Sequence, residues 1–174
     1  MAYLALAYPK LSTNDFGWIE AHRAQHDARF FKIVKPHVTF VFAVSELSEA
    51  KFVDEVGRQV AGVAKIQFEL KVAIVSRDFS GKYFHEFLVP EHGFADIVKL
   101  HDRLYAGRFA PYLRLDIDYI PHVYIGKGED PQVLKQRVDT LNKAGMSIPG
   151  EIDSVEAVEY ADGAVKTLKR FELM

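Results

Sequence analysis

The 174-residue chain contains no cysteine, which excludes disulfides, thiolate metal ligands and cysteine nucleophiles together. It also has little excess charge: 22 Lys and Arg stand against 24 Asp and Glu, a formal net charge of −2. Binding along a nucleic-acid backbone rests on many clustered cations, so no extended nucleic-acid surface is expected. A small or terminal phosphate held in a locally basic cleft fits that balance. No apolar run approaches the roughly 20 residues of a membrane span. The apolar opening Ala2 to Tyr8 has no basic leader and is stopped by Pro9, so it reads as a strand and not as a signal. These absences predict a soluble cytoplasmic monomer with no membrane partner.

What is present is a core: 49% of residues are hydrophobic and 26% charged, the balance of one globular domain. Ser12-Thr13-Asn14-Asp15 supplies capping oxygens for a helix to about Ala28. Pro36 then opens a strand, His37 to Val44, with Val38, Phe40, Phe42 and Val44 on one face and His37, Thr39, Val41 and Ala43 on the other. Ser48 begins a second helix, ending at Gly62. Ile66, Phe68, Leu70, Val72 and Ile74 share a strand face, and Tyr83 to Val89 return across a Ser80-Gly81 turn.

The same order recurs. A helix follows Gly93, an extended stretch from Leu113 to Ile125 carries Pro121-His122-Val123, and Asp130-Pro131 caps a helix running to Gly145. Two strand-like runs, 151–160 and 165–173, then flank an Asp162-Gly163 hairpin turn. Helix, Pro-His-Val strand, helix and hairpin thus appear twice, half a chain apart. With no linker between the halves, residues 1–174 read as one α+β domain of two lobes, with repeat units of roughly 13–89 and 92–172.

Positions i and i+2 of a strand project to one side, so His37 joins Thr39 and His122 joins Tyr124. A single His-x-Thr triplet carries little information. Two at matching places in a repeat point to phosphodiester chemistry, because an imidazole with a pKa of about 6.5 serves as base or acid near neutrality. The hydroxyls of Thr39 and Tyr124 are the candidate phosphate ligands, and His37 and His122 the candidate catalytic pair.

Other groups have plainer readings. His22 and His26 lie four apart on the first helix, a metal-ligand spacing, but without the accompanying Glu of a zinc hydrolase they read as solvated helix side chains. Asp116 and Asp118 share nominal strand parity with His122, yet charged residues at a sheet edge explain them. Tyr83, Phe84 and Tyr119 have rings that can stack a base, and core packing accounts for each. His101 sits on an apolar helix face as a hydrogen-bonded, partly buried residue, and His85 and His92 carry no motif.

His37-Val38-Thr39-Phe40 and His122-Val123-Tyr124-Ile125, with their half-chain separation and doubled element order, resemble the 2H phosphoesterase superfamily of 2′-5′ RNA ligase-like and 2′,3′-cyclic phosphodiesterase proteins. The resemblance spans essentially the whole chain. It implies a bilobal fold of two antiparallel sheets related by a pseudo-twofold axis, with flanking helices and a central cleft. It also implies acid–base catalysis without metal or cofactor, acting on a small nucleotide or an RNA terminus carrying a 2′,3′-cyclic phosphate or 2′-5′ linkage. Tyr124 departs from the family's small hydroxyl, and its phenol oxygen lies a ring's length further from the backbone. A nucleotide- or RNA-end-binding module with little turnover is the alternative that this departure favours.

Overall fold

The computed structural model describes residues 1–78 and 80–174. In chain order its elements are β1 (Ala2–Ala7), β2 (Lys10–Leu11), α1 (Thr13–His26), α2 (Ala28–Ile33), β3 (Val38–Val44), α3 (Glu49–Val60), β4 (Ile66–Arg77) and β5 (Phe84–His92). There follow α4 (Phe94–Leu104), a 3₁₀ turn (Ala110–Tyr112), β6 (Val123–Gly128), α5 (Pro131–Lys143), β7 (Ile148–Ile152), β8 (Ser154–Ala161) and β9 (Ala164–Glu172). Among the described residues no helix is long and apolar enough to cross a membrane.

Two antiparallel sheets form, in the orders β3-β1-β8-β9 and β2-β7-β4-β5-β6. Helices α3 and α4 lie on the first sheet, burying Phe52, Val56, Val60, Ile97, Leu100 and Leu104. Each such side chain contributes about 1.5–3 kcal/mol by leaving water. Helices α1 and α5 lie on the second sheet. The expected α+β architecture with two sheets and flanking helices is therefore present. After β3 come α3 and the hairpin β4–β5; after β6 come α5, the short strand β7 and the hairpin β8–β9. Each hairpin, however, joins the other half's motif strand: β4–β5 pairs with β6, while β8–β9 pairs through β1 with β3. Neither half of the chain completes a sheet alone.

Several boundaries differ from the sequence reading. The helix expected to reach Ala28 stops at His26, because Asp27 leaves helical backbone and caps α2 by accepting the Arg29 and Phe30 amides, both at 3.2 Å. The stretch from Leu113 to His122 is turn and irregular backbone, so the second motif strand starts only at Val123. The run 151–160 is two strands in different sheets, broken at Asp153. That carboxylate is buried against Lys10 Nζ at 2.7 Å and the Arg170 guanidinium at 3.3 Å, and its carbonyl accepts the Leu173 amide.

Register slips also move faces. In the β1–β3 pairing, Tyr3, Ala5, Leu6 and Ala7 oppose Val44, Val41, Thr39 and Val38, with two irregularities between them. Val41, expected beside Thr39, is instead fully buried, while Phe42 is half-buried. In β4 a slip around Lys71 leaves Val72 exposed and puts Ala73 in the core. From there Ile74 and Ser76 oppose Phe87 and His85 on the face away from that core. A slip reverses every subsequent side chain because the strand period is two.

Candidate active site

His37 and His122 occupy the residue just before β3 and β6, and both are half-buried. Their local geometry is the same. The His37 Nδ1–H donates to the Lys35 carbonyl at 2.8 Å, and the His122 Nδ1–H donates to the Ile120 carbonyl at 2.6 Å. A carbonyl only accepts, so Nδ1 carries the proton in both rings and Nε2 is the nitrogen left to exchange one. Neither Nε2 has a hydrogen-bond partner among the described residues.

Burial is the main cause that lowers both pKa values to about 4, partly offset by the carbonyl each ring donates to. The positive charge of Arg23 lowers His37 further, and His37 and His85 lower His122. The two imidazoles, half a chain apart, thus lie within electrostatic reach of one another.

The second residue of each motif is treated differently. Thr39 opposes Leu6 in the β1–β3 ladder, and its hydroxyl has no hydrogen-bond partner among the described residues. Its carbonyl accepts from the Tyr119 hydroxyl at 3.0 Å, which anchors the irregular 113–122 stretch on β3. The Tyr124 hydroxyl donates to Asp27, the residue between α1 and α2. Burial first, then that bond and the carboxylate charge, push the phenol well above its ordinary range. Of the two candidate phosphate ligands, only Thr39 therefore has a hydroxyl hydrogen without an acceptor.

Behind the motifs lies Arg23, 1% exposed, donating to Glu20 and to the carbonyls of Phe30 and Val34, the latter at 2.6 Å. Its Nε has no hydrogen-bond partner among the described residues. The buried cation ties α1 to the end of α2 and lends positive potential to both His37 and Tyr124.

The surroundings of the two histidines differ. Beside His37 a cavity of about 230 Å³ is lined chiefly by Leu4, Leu6, Phe30, Ala43, Val158 and Tyr160. Beside His122 stands Phe87, stacked on the imidazole with ring centroids 3.6 Å apart, and then His85, at 5.7 Å from Phe87 and 5.4 Å from Tyr124. A second recess of about 490 Å³, between the end of α3 and α4, contains none of these residues.

His22, Asp116 and Asp118 are not gathered with the motifs. His22 Nε2 lies 3.0 Å from the fully buried Glu86 carboxylate, which also receives Arg137, and the His26 ring lies tilted against that of His22, with centroids 4.4 Å apart. Burial alone would raise the Glu86 pKa; hydrogen bonds from His22 and Arg137 overcome it and hold the carboxyl low. Asp116 is exposed and gripped by Arg114 at 2.6 and 2.7 Å, and Asp118 stands on irregular backbone, so strand parity with His122 does not apply. Among the described residues no group of three or more His, Asp or Glu is arranged to hold a metal ion. Tyr119 is structural as well, its ring stacked on His101 at 3.6 Å. Sequence reasoning did not single out Arg23, Asp27, Phe87 or His85 as part of the site. Only Asp27 left a legible trace, as a cap-type residue inside a presumed helix.

A scaffold of two antiparallel sheets with flanking helices, each sheet preceded at one strand by a histidine whose Nδ1 is bound to a backbone carbonyl, fits the 2H phosphoesterases. The model of the 2′-5′ RNA ligase superfamily matches residues 11–164, and the chain belongs to that superfamily. Solved structures agree on the fold. Usb1 from Kluyveromyces marxianus is 12% identical over 96% of this chain and 97% of its own, with a TM-score of 0.57. LigT from E. coli, solved with 3′-AMP, is 16% identical over 99% and 98%, with a TM-score of 0.55. A structure described as a phosphoesterase is 15% identical over 99% and 98%, with a TM-score of 0.56. No curated protein matches the chain by sequence.

Proposed function

We propose that residues 1–174 act as one catalytic unit, a phosphodiesterase that opens an RNA-related phosphodiester such as a 2′,3′-cyclic phosphate or a 2′-5′ linkage, with His37 and His122 as its acid–base pair. The observation that carries this reading is the matched pair of Nδ1–H to carbonyl bonds, which fixes one tautomer in both rings and turns both Nε2 atoms to the same task. One Nε2 removes a proton from water as its oxygen bonds to phosphorus. The other, protonated, delivers its proton to the ribose oxygen as the P–O bond breaks. Thr39 donates to a phosphoryl oxygen throughout. Tyr124 joins it only by releasing Asp27, so its ring lines the site while its hydroxyl is held.

With pKa values of about 4, both rings are neutral at pH 7. A phosphate anion beside Nε2 favours the charged form, so the substrate itself raises the histidine that must donate. Small nucleotides or RNA ends are the fitting partners, and no cofactor or metal enters the scheme. The same features favour a binding module if turnover is slow, since Tyr124 is already committed to Asp27.

The test is turnover of a 2′,3′-cyclic nucleotide in the presence of chelator. His37→Ala and His122→Ala should each lower kcat by about 100- to 10,000-fold. Wild-type rates in either variant remove that histidine from the reaction, and saturable binding without product in the unaltered protein assigns the binding module.

A further inference from the structure

Beyond the reaction centre, the second sheet carries a row of side chains that the hydrolytic scheme leaves unused. It begins at His122, passes through the stacked Phe87 and continues to His85. Directly opposite His85 across the β5–β6 ladder is Lys127. Residues facing each other in an antiparallel pair point to the same side, so Lys127 shares the face of His85. Simple alternation would set Lys127 opposite to Tyr124. The bulge that shifts pairing from Glu86↔Gly126 to Phe87↔Tyr124 returns it to the same face.

Lys127 has no carboxylate partner among the described residues; its ammonium lies 3.9 Å from the centroid of the Tyr83 ring. A cation over an aromatic face keeps its N–H donors available on the other side. The His85 ring nitrogens likewise have no hydrogen-bond partner among the described residues. Two carboxylates act electrostatically on His85, and both are engaged. Asp27 accepts from Tyr124 and two amides; Asp78 accepts from Ser80 and the Tyr83 amide.

We propose that His85 and Lys127 form a second anion subsite that selects nucleotides bearing a further phosphate, one ribose away from the phosphorus bound between His37 and His122. The inference rests on the proposed phosphodiester reading of that centre. From Phe87 to His85 is one pleat repeat, about 6.6 Å, a step comparable to the spacing of successive phosphates across one sugar. Tyr124, half-buried on the same face, then flanks the intervening sugar or base, while the Lys127 ammonium and a His85 N–H donate to the outer phosphate. Its chemical class is a nucleoside bisphosphate or a 5′-phosphorylated RNA end.

Calorimetric titration with adenosine 3′,5′-bisphosphate and with 3′-AMP measures the preference directly. The unaltered protein should bind the bisphosphate about tenfold tighter, a ratio that shrinks with added salt. Lys127→Met, which keeps the packed stem, should bring the ratio close to one, and Lys127→Arg should retain it. Equal affinities in the unaltered protein, or an undiminished ratio in Lys127→Met, overturn the subsite; the first outcome needs no variant to fold. Turnover of the cyclic nucleotide by the His37→Ala and His122→Ala pair reads the reaction centre separately. Hydrolysis without bisphosphate preference sinks only the subsite, and preference without hydrolysis sinks only the catalytic reading.

Discussion

Around His37 the neighbours are mainly aliphatic, with Phe30, Tyr160 and the edge of the Tyr8 ring among them, while the His122 imidazole is stacked face to face on a ring. Both histidines leave the backbone at the same point of a strand and make the same Nδ1 bond, yet one opens on Leu4, Leu6, Ala43 and Val158 while the other is stacked on Phe87 near His85. The hydroxyl that follows is unpartnered among the described residues at Thr39 and tied to Asp27 at Tyr124. On the proposed reading, the doubled backbone holds the proton-handling atoms constant and the side walls distinguish the two ends of an asymmetric substrate.

The supports beneath the walls differ too, and the largest expected effect lies there. In the second sheet Glu86 is fully buried and receives His22 and Arg137, so Glu86→Ala empties a buried site and leaves two part-buried donors without their acceptor. It should cost about 3–5 kcal/mol of stability. In the first sheet the Glu156 carboxylate accepts from the exposed Thr167 hydroxyl at 2.6 Å, and Thr167→Val should cost about 1 kcal/mol. Urea unfolding of both variants checks the contrast, and equal losses would show that the two sheets are supported alike.

Next in size is Asp27→Ala, which removes the cap of α2 and the acceptor of Tyr124 together. A loss of about 1–2 kcal/mol is expected, with the Tyr124 phenol titrating at lower pH because the bond and charge that raise it are gone. An unchanged tyrosine titration by ultraviolet absorbance would show that burial alone governs the phenol.

The histidines themselves should behave alike. Each has a folded pKa of about 4, below the roughly 6.5 of an unfolded chain. Between those values the unfolded state binds protons that the folded state does not, so stability is fully present above about pH 6.5 and falls toward pH 4. His37→Gln and His122→Gln should each flatten part of that decline in chemical-denaturation curves taken across the range. A decline flattened by only one of them would mean that the two rings are not equivalently desolvated.

The smallest effect belongs to the aliphatic wall. Val165→Thr, at the rim of the cavity beside His37, adds a hydroxyl without changing shape and should raise KM by no more than about tenfold, with kcat held. A change confined to kcat would place that wall in the chemistry instead of in binding.

Much of this was legible before any coordinates. The two Pro-His-Val strands, the Asp130-Pro131 cap and the Asp162-Gly163 turn, with φ of 52° and 76°, follow from local rules that depend on a few adjacent residues. What the pattern missed depends on pairing. Lys127 shares a face with Tyr124 only because of a slip between β5 and β6, and Val41 is buried only because of slips between β1 and β3. No single strand encodes its partner's bulge. The 113–122 stretch alternates like a strand but finds no ladder; it is held by the Tyr119 hydroxyl on Thr39 and by the stack on His101. Asp153 divides an apparent single strand because its carboxylate is claimed by Lys10 and Arg170, residues distant in sequence on either side.

The crossing of the hairpins bears on the birth of the molecule. While a ribosome is still adding α5, the β4–β5 hairpin already has its partner strand β6, but β1 has only β3 on one side until β8 follows. Until then β1 keeps an open edge, the kind of surface on which chains clump. One sheet can thus close around its first motif neighbour before the other has its full set of strands.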